Sequence, residues 1–232
     1  MTLIKYLANL GYGSRREVTS LVAARRVTRH DGQALQAADA WIHDDLRVDS
    51  APLDAPPGAV ILLHKPIGYV CSTKDVPPLV YDLLPSRFMR RSPVMAPIGR
   101  LDRDTSGLLL LTDDGALNHR LTSPRSHVTK RYRVTLADAL RGDEGEQLAS
   151  GRLRLTGEAT PLAPVLMSAT SDHVVEVTLT EGRYHQVRRM FAALGNHVTS
   201  LHRFEMGPLS LDDLAPGAWR TLTATERASL TT

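Results

Sequence analysis

The 232-residue chain has one cysteine, two tryptophans and three phenylalanines. It has no apolar run approaching the roughly 20 residues that cross a bilayer. A lone Cys71 cannot close an intramolecular disulfide or build a cysteine-based zinc site. GxGxxG and P-loop patterns are missing, which argues against a nucleotide cofactor. His119, His127, His185, His197 and His202 lack ligand spacing, so no metal is expected. No repeat of about 20 to 50 residues recurs, which argues against solenoids and propellers. The first residues, MTLIKYLANLGYGSRRE, have neither the apolar stretch nor the small-residue cleavage site of a secretory signal. A soluble, cytoplasmic protein without membrane association is expected.

What is present suits a folded chain: 42% of residues are hydrophobic and 23% charged. The net charge is only +3, but it is unevenly spread. Residues 1–30 set Lys5, Arg15, Arg16, Arg25, Arg26 and Arg29 against Glu17 alone, and residues 118–133 hold five basic side chains and no acid. The intervening 31–50 is acidic. Such clustering suits a polyanion, with a merely solvated face as the alternative.

The stretch SAPLDAPPG, residues 50–58, reads as a semi-rigid linker and divides the chain into units 1–50 and 59–232, with the linker at 51–58. A linker of this kind is expected to let the first unit reorient on binding. Upstream, Leu3, Leu7 and Leu10 recur at helical spacing, and Ser14 with Glu17 signals a capping box before Val18, Leu21 and Val22. An Asp-Gly turn follows, and Trp41, Ile42, Leu46 and Val48 suggest a small strand unit. Downstream the pattern is α+β, with strand-like runs at 60–64, 107–112, 131–136 and 173–180. In 131–136, Tyr132, Val134 and Leu136 share one face while Arg131 and Arg133 take the other. Val187, Met190, Phe191 and Leu194 mark one face of a helix that Gly195 stops, with His185, Arg188 and Arg189 on another face. Thr223 and Glu226 signal a short terminal helix.

The loop Gly99-Arg100-Leu101-Asp102-Arg103-Asp104-Thr105-Ser106-Gly107 leads straight into the apolar run Leu108–Leu111. A polar loop fixed by a rigid strand is a common site of catalytic groups. Asp102, flanked by Arg100 and Arg103, is expected to stay ionised. A surface loop with local ion pairs would read the same way.

GRLDRDTSGLLLLTDDG resembles the catalytic motif of pseudouridine synthases, in particular the group that isomerises uridines in bacterial ribosomal RNA and carries an N-terminal S4-like RNA-binding domain. HKPIGYVCST (64–73) resembles that group's lysine-proline-glycine motif, SPRSHVTKRYRV (123–134) its lysine-x-tyrosine strand, and EGRYHQVRRMFAALGNHVTSLHR (181–203) its third motif. GSRREVTSLVAARRVT resembles part of an S4 domain. GYVCST, EGRYHQV and LGNHV are most similar to members acting on 16S rRNA; members acting on 23S rRNA more often have an asparagine-arginine pair in place of Tyr184 and His185.

The resemblance implies a small S4-like α/β RNA-binding domain, plus a catalytic domain on a mixed, mainly antiparallel sheet with flanking helices. It implies isomerisation of a 16S rRNA uridine with base flipping and no cofactor. The partner would be ribosomal RNA in an assembly intermediate, and the protein a monomer. Asp102 would supply the carboxylate for breaking the glycosidic bond, either attacking C1′ or taking a proton from C2′. Arg188 would be the cation opposing Asp102, and Tyr132 the platform under the extruded uracil. Arg100 would fill the space left by the flipped base, Leu201 would pack beside the base, and Lys130 would face phosphate or support structure. His185 and Arg189 would line the cleft entrance or touch RNA. Lys5, Arg15, Arg16, Arg25 and Arg26 would dock the S4-like unit on rRNA. A 23S-specific enzyme, a non-catalytic assembly factor and a glycosylase releasing free uracil are the alternatives.

Overall fold

In the computed structural model, which describes residues 1–230, the first helices form where their caps allow. Thr2 Oγ1 accepts from Lys5 N at 3.3 Å and opens α1 (Leu3–Asn9). Ser14 and Glu17 cap each other reciprocally at the start of α2 (Arg15–Ala23). Both pack on a small antiparallel sheet of β1 (Val27–Thr28), β2 (Arg47–Val48) and β3 (Ala51–Pro52). Leu3, Leu7, Leu10, Val18, Val27 and Leu46 close this first core. The expected Asp-Gly turn is present, with Gly32 N donating to Arg29 O at 3.0 Å. The expected strand unit is smaller than its apolar residues suggested. Trp41 packs on Tyr6 with ring centroids 4.4 Å apart and planes tilted by 34°, and Ile42 is 68% exposed.

The second unit contains β4 (Val60–Lys65), β5 (Ala96–Ile98), β6 (Thr105–Thr112), β7 (Lys130–Leu136), β8 (Leu166–Ser171), β9 (Val174–Leu179), β10 (Val198–Met206), β11 (Leu209–Ser210) and β12 (Trp219–Thr221). Among the described residues they form one mixed sheet in the order β12-β4-β6-β10-β7-β9-β8, with β5 on β6 and β11 on β10. Only β6 and β10 run parallel; the other pairings are antiparallel. The helices are α3 (Gly115–Thr122), α4 (Glu144–Ala149), α5 (Gln186–Ala193) and α6 (Ala224–Ser229).

Strands β4 and β6 are apolar without alternation because both their faces are covered. One face carries Ile61, Leu63, Leu109 and Leu111 into a core with Tyr132, Val134 and Phe191; the other carries Val60, Leu62, Leu108 and Leu110 under Leu117 and Leu121 of α3. The face of α5 bearing Val187, Met190 and Phe191 is buried as its spacing implied. Gly107 is required where β6 approaches β10. Its φ is +116°, and a Cβ there would lie 2.1 Å from Arg203 O.

The expected linker is fastened rather than free. Residues 51–52 belong to the small sheet as β3. Arg87 pairs with Asp54, and Asp54 N donates to Tyr12 Oη at 3.0 Å. Arg91 donates to the carbonyls of Ala55 and Pro56 and is ion-paired to Asp113, with both side chains buried. Ser92 N also donates to Asn9 O at 2.8 Å. These contacts oppose the free reorientation expected of a proline-rich connection.

Candidate active site

The loop 99–104 is held from below by a lysine the sequence reading left without a role. Lys65 is wholly buried at the end of β4, and its Nζ donates to Thr105 O (2.7 Å), Asp102 O (2.9 Å) and Pro66 O (3.1 Å). Thr105 N also donates to Asp102 O at 3.1 Å, and Gly68 N to Arg103 O at 2.6 Å. The lysine-proline segment and the aspartate loop are thus one hydrogen-bonded unit. Desolvation lowers the Lys65 pKa, so the ammonium is kept by the carbonyl oxygens converging on it.

The side chain of Asp102, about one-third exposed, projects into a cleft of about 890 Å³. Tyr132, Lys130, Arg100, Leu201 and His185 line the same cleft. Tyr132 and Leu201 are buried, Arg100 is exposed, and His185 Nε2 lies 3.3 Å from Asp102 Oδ1. Six of the eight expected catalytic and substrate-binding residues are therefore brought together.

The other two are not. Arg188 does not oppose Asp102: its Nη2 pairs with Asp104 Oδ2 at 2.7 Å, and its Nη1 donates to Val198 O at 3.0 Å. It grips the loop two residues beyond Asp102, where Asp104 is 65% exposed and free to meet it. Arg189 does not itself line the cleft but stands behind its wall, donating to Glu158 Oε1 (3.0 Å), a residue of the cleft lining, and to Thr156 O (2.7 Å). It fastens the 156–158 segment to α5 through the ion pair with Glu158.

Arg203 is a further cleft residue the sequence reading passed over. It is 1% exposed; its Nε donates to Leu108 O at 2.8 Å and its Nη1 to Tyr132 Oη at 3.4 Å. Its guanidinium carbon lies 5.9 Å from the Tyr132 ring centroid, within cation–π range. Among the described residues its Nη2 has no hydrogen-bond partner although it is buried, and the same is true of Thr105 Oγ1 and Arg188 Nε. The cleft wall therefore keeps an unused donor beside the tyrosine.

Lys130 donates to Val128 O at 2.9 Å. Burial first, then repulsion from Arg203, lowers its pKa to about 8. In the unfolded chain it titrates near about 10.4. Below pH 8 the lysine is charged in both states and the folded chain carries the full desolvation cost. Between about 8 and 10.4 only the unfolded chain holds the proton, so the cost fades as pH rises. Lys130→Met is expected to be more stable than the wild type at pH 7 by about 1–2 kcal/mol, discounted for partial exposure. Urea midpoints should show that gap closing between pH 8 and 10.5; a gap constant with pH would contradict the desolvated ammonium.

Lys65→Met makes the opposite contrast. It strips buried carbonyls of their donor, but it also removes a desolvated ammonium, so stability should change little. Freed of its tether, the loop shifts Asp102, and a misplacement of about 1 Å lowers turnover about 100-fold. The expected result is a kcat loss with an unfolding midpoint close to wild type, and Lys65→Arg should not rescue it, because a planar fork does not fit converging carbonyls.

The comparisons with known proteins agree with this architecture. The model of the RNA pseudouridylate synthase family matches residues 59–193, from the start of β4 to the end of α5. The chain belongs to that family. Relatives include the ribosomal small subunit pseudouridine synthases A of Yersinia pestis (42% identical, covering 99% of this chain and 98% of that one) and of Escherichia coli strain K12 (42% identical, covering 99% and 100%). A crystal structure of a pseudouridylate synthase superposes with a TM-score of 0.69 at 36% identity, covering 99% of both chains.

Proposed function

We propose that the protein isomerises one uridine of 16S rRNA to pseudouridine, with Asp102 as the catalytic carboxylate. The observation that carries the reading is the Asp102 side chain in a cleft with the buried Tyr132 ring, both anchored on the sheet. The small-subunit specificity of the full-length relatives supports the 16S target.

The reaction breaks the N1–C1′ bond, turns the uracil and joins C5 to C1′, with the C5 proton lost and N1 gaining one. It requires an acid–base pocket and a stacking surface. Asp102 attacks C1′ or removes the C2′ proton; either route needs the fixed, ionised carboxylate that Lys65 and Thr105 hold by its backbone. Tyr132 stacks on the uracil, and Arg203, whose Nη1 donates to the phenol oxygen at 3.4 Å, fixes that oxygen where it can meet the C5 proton. Arg188 is a positioning residue acting through Asp104. Arg100 fills the vacated stack, Leu201 packs beside the base, and His185 sits at the entrance. The exposed Lys5, Arg15, Arg16 and Arg25 of the first unit, with Arg26 paired to Asp49, form its rRNA-facing surface, S4-like in character. The protein acts as a monomer in the cytoplasm on a subunit assembly intermediate.

The test is to incubate the protein with naked 16S rRNA, with assembly intermediates and with mature small subunits, mapping pseudouridine and assaying free uracil. One new pseudouridine without released uracil is expected, formed fastest on the intermediate. Released uracil would make the protein a glycosylase; binding without modification would make it an assembly factor; modification of 23S rRNA instead would move the target.

A further inference from the structure

Tyr184 is 76% exposed, the only aromatic among the large hydrophobic side chains left in solvent by the described residues. It stands at the lip of the Asp102 cleft, yet it is not loose. Its ring lies against the His185 imidazole with centroids 3.9 Å apart and planes 17° from parallel. Consecutive side chains diverge in helices and strands, so stacking two neighbours needs an unusual backbone. His185 supplies it, at φ 47° and ψ 36°, a left-handed conformation unfavourable for a residue other than glycine. The Tyr184 carbonyl is held by Arg189 Nη1 at 3.0 Å, which keeps the bend in place. The same imidazole reaches with its Nε2 to 3.3 Å from Asp102 Oδ1. A ladder of flat groups thus runs from the carboxylate to the rim.

A strained backbone that holds an aromatic ring in solvent gains nothing for the core; such strain concentrates where ligands bind. Around the same cleft, Arg100 and Arg103 are exposed and cationic. An exposed ring beside exposed arginines suits single-stranded nucleic acid, whose bases stack while its phosphates are attracted.

We propose that Tyr184 is the stacking platform for a nucleobase adjacent to the target uridine, outside the cleft, with His185 as its rigid backing. This rests on the reading of the cleft as the site of an extruded uridine. Tyr132 then holds the base that reacts, and Tyr184 holds a neighbour that does not. Grip on the neighbour adds to RNA affinity and keeps the extruded state open, without touching reacting atoms.

The test uses a small-subunit rRNA transcript with the modified uridine mapped, and versions carrying an abasic nucleotide on its 5′ or its 3′ side. Tyr184→Ala and Tyr184→Leu are expected to raise KM about tenfold with kcat within about twofold of wild type, and Tyr184→Phe to match wild type. For the wild type, one of the abasic substrates should raise KM by a similar factor, and on that substrate Tyr184→Ala should add no further loss. A wild-type KM for Tyr184→Ala, or a penalty that persists on both abasic substrates, overturns the proposal. Leucine at full activity also overturns it, since bulk without a π-face would then suffice. A wild-type enzyme that forms no pseudouridine on any 16S substrate overturns the underlying reading, and this proposal with it.

Discussion

Asp102→Asn is expected to lower pseudouridine formation by roughly four orders of magnitude while leaving folding and RNA binding intact. The amide is nearly the same shape as the carboxylate, so the cleft keeps its volume. What it loses is the negative charge that either attacks C1′ or accepts a proton from C2′. Folding is spared because the loop is not fastened through this side chain. Its tether is the Asp102 carbonyl, held by Lys65 Nζ at 2.9 Å and Thr105 N at 3.1 Å, and neither bond involves the carboxyl group. Among the described residues the carboxylate itself meets only His185, at 3.3 Å and partly in solvent, an arrangement that contributes little to stability.

The same loop provides its own control. Asp104 also bears a carboxylate, but it is 65% exposed and its partner is Arg188, at 2.7 Å. Asp104→Asn should weaken the grip of α5 on the loop and cost activity about tenfold at most, through position rather than chemistry. Single-turnover rates on the mapped transcript, with binding measured separately, distinguish the two aspartates. Full activity in Asp102→Asn, or an equal loss in Asp104→Asn, would remove the assignment of Asp102.

How much of this was legible beforehand depended on whether a residue's surroundings were local in sequence. Strands β4 and β6 announced themselves as unbroken apolar runs, and α5 by one buried face. Strand β10 did not, although it pairs with both β6 and β7. Its pairing with β7 shifts register between Val198 and Ser200 and again between Arg203 and Glu205, which breaks the two-residue period, and it carries a buried arginine where sequence arguments expect an exposed one. The motif resemblance pointed to Asp102 and Tyr132 and to four further residues that line the cleft with them, Arg100, Lys130, His185 and Leu201. It misdirected Arg188, whose guanidinium pairs with Asp104, two residues further along the same loop, a choice that only the packing of α5 against the loop decides. Lys65 did leave a signal that went unused: along β4 it shares the face of Ile61 and Leu63, so a lysine there is directed into the core and must find acceptors.

The linker was the largest departure, and it leads to the second large effect. Asp113→Ala is expected to destabilise the protein by about 3–5 kcal/mol, because it leaves a buried guanidinium without its counter-charge. The Arg91 and Asp113 side chains are 1% and 4% exposed, with Nη2 and Oδ2 2.8 Å apart. Asp113 Oδ1 also accepts from Gly58 N at 2.7 Å, while Arg91 donates to the carbonyls of Ala55 and Pro56. One ion pair therefore holds the second half of the segment between the two units, residues 55–58. Removing both charges, as in Arg91→Leu with Asp113→Leu, should recover part of the loss, since no charge is then buried alone. Urea unfolding measures both effects. The linker carbonyls stay undonated in the double variant, so cleavage between residues 53 and 58 by added protease should remain faster than in wild type even where global stability has returned. Were Asp113→Ala as stable and as resistant as wild type, the proline-rich segment would be a flexible tether after all, and the basic face of the first unit would be free to seek RNA independently of the cleft.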